Sequence, residues 1–390
     1  MYPLAPLMQA NPTLVRVLNT LTDAGNLAHL VGGSVRDALM GRAVSDFDIA
    51  TSAHPETVAE IFEGIGAAVY PTGIAHGTLT IKLKEQTFEI TTWRRDVATD
   101  GRRATVAYAQ SLGEDAARRD FTINALYADA EGDVFDPFGS GLRDIAAQRV
   151  AFIGAPEARI REDHLRILRY FRFSATHMGG VDAQSYDMLA CRAFAPLIKS
   201  LPRERVGAEM LKLLAADRPA AVLAEMSRAG VLAMVLPHLV TSPRHLSQQM
   251  RALEAQEMTL GLKPCAIRRL ALIHPTPAQE ALKLSKAQAK QHRILAELGY
   301  STMSPAEIGY RHGAQIGEDA LCLQAALGRE ITGADRTAMQ KGADMVFPIM
   351  ARDFQGRLAG KALGDAMRRA EAEWIASGFT ASPRNLLALA

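Results

Sequence analysis

Residues Leu30–Pro55 read LVGGSVRDALMGRAVSDFDIATSAHP, and their order decides the fold. A short apolar strand runs into Gly32-Gly33, a helix opens with Ser34-Val35-Arg36-Asp37, a turn passes through Gly41, and a second strand carries Asp46 and Asp48. Glycines without side chains let the backbone bend sharply and let a phosphate approach the N–H groups that open the next helix. Arg36 adds a fixed-charge fork on the same side. Asp46 and Asp48 are two apart on a strand, so their side chains share one face. Paired carboxylates on one face suit a magnesium ion that keeps positions free for water and nucleotide phosphate. Alone, Asp-x-Asp is most often an exposed turn; the joint arrangement of glycines, Arg36 and aligned carboxylates carries the reading. An EF-hand does not fit, because Ala50 stands where a further ligand belongs. A dinucleotide-binding turn does not fit either, since the glycines are adjacent and not spaced as G-x-G-x-x-G.

The 390 residues predict two to four domains. With 48% apolar and 22% charged residues, the composition is that of a globular protein, and a formal net charge of +2 requires any nucleic-acid footprint to be local. Cys191, Cys265 and Cys322 lack the paired spacing of a zinc site or disulfide framework. The N-terminal MYPLAPLMQANPTLVRVL has no basic segment before its apolar residues, and no run reaches membrane-spanning length. A cytoplasmic protein with no membrane partner is expected.

Up to about residue 153, short strands alternate with helices. Strands are predicted at Ala28–Val31, Phe47–Ala50, Thr78–Leu83 and Phe88–Thr92, with a helix over Pro55–Gly64. Arg94–Ala117 is polar and contains glycine, and reads as a long mobile loop. Beyond Ala155 the pattern is helical: Pro156–Met178, Ala183–Ala193, Pro202–Ala216 and Pro219–Ala229, then an Ala-, Leu- and Gln-rich stretch from about Ser242. An α/β head precedes an all-α remainder.

Two further constellations carry chemistry. In Arg118–Leu126, RRDFTINAL, Arg119 and Asn124 can reach phosphate, ribose or base, while Phe121, Ile123 and Leu126 form a buried stripe. The plain alternative is a solvated helix start with a local Arg–Asp pair. In Arg161–Phe173, helical spacing puts Leu165, Leu168 and Phe171 on one side and Glu162, Asp163, Arg166 and Arg169 on the other. That too has a plain reading, as a surface helix laced with ion pairs. The sharper one is base selection: cytosine and adenine present an exocyclic amino donor beside a ring-nitrogen acceptor. A carboxylate (Asp163) with a guanidinium (Arg166) therefore accepts C and A and rejects U and G without a template.

Together LVGGSVRD…DFDIATSAHPE, RRDFTINALYAD and RIREDHLRILRYFRF resemble the class II CCA-adding tRNA nucleotidyltransferases, in the superfamily that also holds bacterial poly(A) polymerases. VFDPFGSGLRDIAAQRV looks like that family's head-to-neck connection. The resemblance is dense over residues 28–215 and thin beyond about 240. It implies an α+β fold: a nucleotidyltransferase head with a mixed β-sheet and flanking helices over residues 1–153, a helical, base-reading and RNA-binding neck over 154–240, and an all-helical, tRNA-binding body and tail over 241–390. It implies template-independent addition of CCA to the 3′ end of tRNA from CTP and ATP, with Mg2+ as cofactor. By resemblance, Gly32, Gly33 and Arg36 grip the triphosphate, Asp46 and Asp48 are catalytic metal ligands, and Glu89 is a third carboxylate. Arg119, with Asp120 and Asn124, contacts the nucleotide; Asp163 and Arg166 read the base, assisted by Arg169 and Arg172.

Competing readings remain at this level. A poly(A) polymerase shares the head motifs but often carries a strongly basic tail, whereas SPRNLLALA has a single Arg. A partial enzyme adding only cytidines tends to have a shortened loop after the head sheet, and Arg94–Ala117 is long. A catalytically silent RNA-binding relative is disfavoured by the intact Asp46, Asp48, Arg119 and Asp163. The absence of a His-Asp dipeptide argues against an appended phosphohydrolase domain.

Overall fold

A computed structural model describes residues 3–389 apart from 75, 76, 101, 102, 238, 240, 275, 277 and 355–357. Compactness divides the chain into Met1–Glu209 with Glu225–Val235, and Met210–Ala224 with Leu236–Ala390. The helices that follow residue 153 thus begin within the same unit as the sheet.

Among its described residues the first unit holds nine strands: β1 Ala28–Val31, β2 Phe47–Thr51, β3 Ala68–Gly73, β4 Thr78–Leu83, β5 Gln86–Thr92, β6 Arg94–Asp100, β7 Arg103–Tyr108, β8 Tyr127–Ala128 and β9 Val134–Phe135. Seven form one mixed sheet in the order β3-β4-β5-β2-β1-β8-β9, in which β2 and β5 run parallel. Its helices are α1 Ala5–Ala10, α2 Pro12–Asp23, α3 Gly33–Leu39, α4 Pro55–Gly64, α5 Leu112–Ala117 and α6 Gly141–Ala146. In α2 the apolar residues Leu14, Val17, Leu18 and Leu21 recur at helical spacing. They join Val58 and Phe62 of α4 and pack with Leu30, Ile49, Ile81, Phe88 and Ile90. Alternation along the strands sends Val31, Ala50 and Tyr127 into a smaller cluster with Trp93 and Ala125. Asp48 and Glu89 stay exposed in β2 and β5.

The predicted strands Ala28–Val31 and Thr78–Leu83 and the helix Pro55–Gly64 form as expected. β3 carries no alternation because it is an edge strand whose residues are mostly exposed, with Pro71 inside it. The expected loop over Arg94–Ala117 is instead the antiparallel β6–β7 pair followed by α5. Antiparallel backbone pairing joins the two strands along their facing edges, a feature that composition does not register. Gly101 and Arg102 lie outside the described residues. Ser111 starts α5 by accepting a hydrogen bond from the Glu114 N–H (3.3 Å).

Four helices follow: α7 Pro156–Glu162, α8 Leu165–Phe173, α9 Tyr186–Phe194 and α10 Arg203–Leu214. The single helix expected over Pro156–Met178 is broken. Asp163 is extended (φ −150°, ψ 107°), and its carboxylate accepts from the Leu165 N–H at 3.1 Å, which starts α8 afresh.

The rest is helical: α11 Ala220–Arg228, α12 Val231–Val235, α13 Pro243–Leu260, α14 Ala266–Ile273, α15 Gln279–Leu282, α16 Lys286–Gly299, α17 Pro305–Ala326, α18 Gly333–Ala343, α19 Gly360–Ala376 and α20 Pro383–Leu387. In the second unit α17 and α18 meet closely: a Cβ added at Gly309 would lie 1.9 Å from the Met339 carbonyl oxygen. Beside them Arg268 and Arg269 of α14 are fully buried. Both donate to Glu257 of α13, Arg268 also to Asp319 of α17, and Arg269 to the carbonyl of Leu214 (2.7 Å). Among the described residues no helix is long and apolar enough to cross a membrane.

Removing Glu257 leaves Arg269 without an ion-pair partner among the described residues and Arg268 with Asp319 as its remaining carboxylate, both in the interior, so Glu257→Ala is expected to cost about 3–5 kcal/mol. Denaturant unfolding of the variant against the parent chain measures that loss.

Candidate nucleotidyl-transfer site

Gly32 has φ +73° and ψ −121°, a backbone that side-chain-bearing residues rarely adopt, and it turns the chain from β1 into α3. A Cβ at Gly32 would sit 3.4 Å from Nη1 of Arg119, and one at Gly33 would sit 3.6 Å from Nη2 of Arg36. The double glycine therefore lies against both guanidinium groups. Arg36 is only 6% exposed. It donates from Nε and Nη2 to the two carboxylate oxygens of Asp37 (2.9 and 3.0 Å) and from Nη1 to Asn124 Oδ1 (2.5 Å). One N–H on each terminal nitrogen is left for a ligand.

In the parallel pairing of β2 with β5, Asp48 lies directly opposite Glu89. The strand expected to carry both Asp46 and Asp48 starts at Phe47, so Asp46 precedes it by one residue and only Asp48 has its side chain set by the pleat. Partial burial pushes the Asp48 carboxyl above its ordinary range, the Glu89 charge adds to that, Arg119 opposes it, and Asp46 adds again. Like charges gathered on an exposed face, all with hard oxygen donors, fit a divalent cation. Among the described residues no three His, Cys, Asp or Glu side chains converge on one point, so the chain's own contribution would be a pair of carboxylates. Water and ligand oxygens would complete the coordination.

The RRDFTINAL stretch serves the site through buried bonds. Asp115 in the first turn of α5 accepts from Arg118 Nε (2.9 Å), Arg119 Nη2 (3.0 Å) and the Tyr127 hydroxyl (2.8 Å). Burial would raise its carboxyl, but Arg119 and Arg118 outweigh that and hold it below the usual range. Asp120 and Asn124 face inward. Asn124 Nδ2 donates to Asp120 Oδ1 (3.0 Å), and Arg169 Nε of α8 donates to Asp120 Oδ2 (2.6 Å). These two expected nucleotide contacts are thus committed to internal bonds; Arg119 keeps partial exposure.

On the expected base-reading side, Asp163 and Arg166 do not pair with each other. Arg205 of α10 grips both oxygens of Asp163, at 2.7 and 3.3 Å. Arg166 donates to Glu162 (2.5 Å), to the Arg159 carbonyl (2.9 Å) and to the Arg118 carbonyl (3.2 Å). The break at Asp163 causes this, because an extended residue no longer shares the helical face on which Arg166 sits. Arg172 pairs with Glu209 (3.2 Å) and lies 4.1 Å from the centre of the Phe173 ring. Arg36 and Arg169 stack over the same ring at 5.1 and 5.2 Å. Arg205, Glu209, Phe173 and Asp115 escaped the sequence reading. Asp115 precedes Arg118 and Arg119 at helical spacing, a visible signal. Arg205 stands 42 residues from Asp163, and nothing local announces it.

Residues 28–151 match the model of the poly A polymerase head domain, and residues 188–241 match that described as a probable RNA and SrmB-binding site of polymerase A. A CCA-adding enzyme of Streptococcus pyogenes serotype M2 (strain MGAS10270) is 41% identical over 221 residues, 56% of this chain and 51% of that protein. That of serotype M5 (strain Manfredo) is 40% identical over the same length. The chain spans about half the length of the curated relatives it matches. A crystal structure of Bacillus stearothermophilus CCA-adding enzyme with CTP superposes with a TM-score of 0.79 at 26% identity, covering 97% of this chain and 96% of that one. The Thermotoga maritima CCA-adding enzyme with tRNA-CCA has the same fold, with a TM-score of 0.67 at 16% identity over 97% of this chain and 94% of that one. A divalent metal is general to such nucleotidyltransferases. Residues 28–151 thus resemble a poly A polymerase head domain, and the fold is shared along nearly the whole length with CCA-adding enzymes.

Proposed function

We propose that this chain adds CCA to the 3′ end of tRNA, using CTP and ATP with Mg2+ and releasing pyrophosphate, in the cytoplasm. The observation that carries the reading is the continuity of the site. Arg166 bonds the carbonyl of Arg118, Arg169 bonds Asp120, and Arg36 bonds Asn124, so candidate base-reading and phosphate-binding groups hang on one short segment.

Asp46 and Asp48 would hold Mg2+, which would supply charge neutralisation and lower the pKa of the tRNA hydroxyl that attacks the α-phosphate in line as pyrophosphate leaves. Glu89 keeps the local field negative. Gly32 and Gly33 leave room for the triphosphate, and Arg36 and Arg119 oppose its charge. Asp163 accepts the exocyclic amino hydrogen of C or A, and Arg166 donates to the neighbouring ring nitrogen. Arg205 fixes the Asp163 carboxylate, while Arg169 and Arg172 with Asp120 and Asn124 hold the reading helix. Residues 1–153 act as the head, 154–240 as the base-reading neck and 241–390 as the helical part that holds tRNA by shape and backbone. A second reading, poly(A) synthesis, has the name of the matching head-domain model in its favour.

The deciding experiment offers CTP and ATP, singly and together with Mg2+, to one tRNA ending before CCA, after C and after CC. Addition of CCA followed by a stop supports the proposal. Cytidines alone make it a partial enzyme, a long adenylate ladder supports poly(A) synthesis, and no product with any primer overturns transfer.

Asp46→Asn is expected to lower transfer by at least on the order of a thousandfold with an unchanged melting temperature. Asp163→Ala should admit UTP and GTP; Arg205→Ala should do so more weakly, and misincorporation assays compare the two. A raised Asp48 carboxyl binds its proton more tightly in the folded chain, so the cost of ionising it grows as pH rises through its folded pKa. Mg2+ offsets that cost. The ion should therefore raise the melting temperature at pH 7, progressively less as the pH is lowered into the carboxyl's titration range, and Asp48→Asn should abolish the increment.

A further inference from the structure

Immediately after α8 the backbone widens into one π-helical turn, Ser174–Met178, which ends at Gly179 with φ +70°. Such turns are rare and recur at functional sites. Here the turn brings His177 back against α3. Its Nε2 lies 3.1 Å from Asp37 Oδ1, the oxygen that also accepts from Arg36 Nε at 2.9 Å. Asp37 is held down to about 2 although burial raises it, chiefly by its hydrogen bonds from His177 and Arg36. An ionised carboxylate can only accept, so Nε2 carries the proton in this contact. The other ring nitrogen, Nδ1, lies 2.6 Å from the Thr176 hydroxyl, and Arg42 Nη1 donates to the Thr176 carbonyl at 2.5 Å. The imidazole is held from both sides, and its ring centre is 5.4 Å from that of Phe173, on which Arg36 stacks.

We propose that His177 is a positioning residue for nucleoside triphosphate binding: it holds Asp37 from the neck side, and Asp37 in turn sets the plane of the Arg36 guanidinium. The inference rests on the proposed role of Arg36. Asp37 alone can form a bidentate pair with Arg36 in more than one rotamer and so turn the guanidinium away from the glycines. The His177 N–H selects one rotamer. It also draws on the charge of Asp37 Oδ1, leaving more of the Arg36 charge for a phosphate. Because the contact lies at the sugar-phosphate end of the site, it predicts an effect common to every nucleotide, without a change in base choice.

Equilibrium binding of CTP and ATP to the full chain, with steady-state kcat and KM and thermal melting, tests this in His177→Ala, His177→Gln and Arg36→Ala. Loss of one hydrogen bond corresponds to weakening by about three- to tenfold. His177→Ala should raise Kd by that factor for CTP and ATP alike, with discrimination against UTP and GTP unchanged. His177→Gln, whose amide N–H can still reach Asp37, should restore most of the affinity even where its melting temperature matches that of His177→Ala. If Kd merely follows the melting temperature across the variants, or stays at the parent value in His177→Ala while Arg36→Ala weakens binding, the inference is overturned and the reading of Arg36 stands. If Arg36→Ala itself leaves triphosphate binding intact, the role of Arg36 fails and the inference falls with it.

Discussion

The buried carboxylate of Asp120 is the joint on which the first unit depends. A charge taken out of water must be matched by donors, and Asp120 is matched by three: the Phe121 N–H, the Asn124 amide and the Arg169 guanidinium. Burial would raise its carboxyl, but Arg169, with the Asn124 amide and the Phe121 N–H, outweighs that and holds it below its usual range. Asn124, oriented by this bond, presents its oxygen to Arg36. One side chain thus ties α8, the segment after α5, and α3 into a single arrangement. The groups on these elements keep their relative positions because the cost of an unpaired buried charge penalises any other arrangement.

The second constraint is the two-faced sheet. Phe47 and Ile49 of β2 point into the core under α2 and α4, so Asp48 between them points to the opposite face, and the parallel register puts Glu89 beside it. Asp48 and Glu89 sit on interior strands of the sheet yet remain exposed. A rigid support under a charged surface keeps like charges close against their own repulsion, and that repulsion favours a cation.

Much of the fold was legible because its signals are local. Short apolar runs marked β1, β2, β4 and β5, and the helix α4 was read between them. The hairpin of β6 and β7 was read as loop since its stabilisation is backbone pairing, to which composition is blind. The break at Asp163 was missed for a related reason. The apolar stripe Leu165–Leu168–Phe171 continues a helical period whether or not the preceding residue is helical. Only the carboxylate bond to the Leu165 N–H interrupts it.

By itself, the sequence determined the identity of the chemical groups and their local order: the double glycine, two carboxylates two residues apart, and a carboxylate and guanidinium three residues apart. These follow from short-range geometry, in which one residue's backbone dictates the next. Tertiary structure alone decided the partners. Asp163 is held by Arg205 and not by Arg166, Asn124 and Asp120 face inward, and His177 returns to Asp37 across 140 residues. Pairings of this kind are settled by desolvation and by the packing of distant helices, and neither is written in the spacing of neighbouring residues.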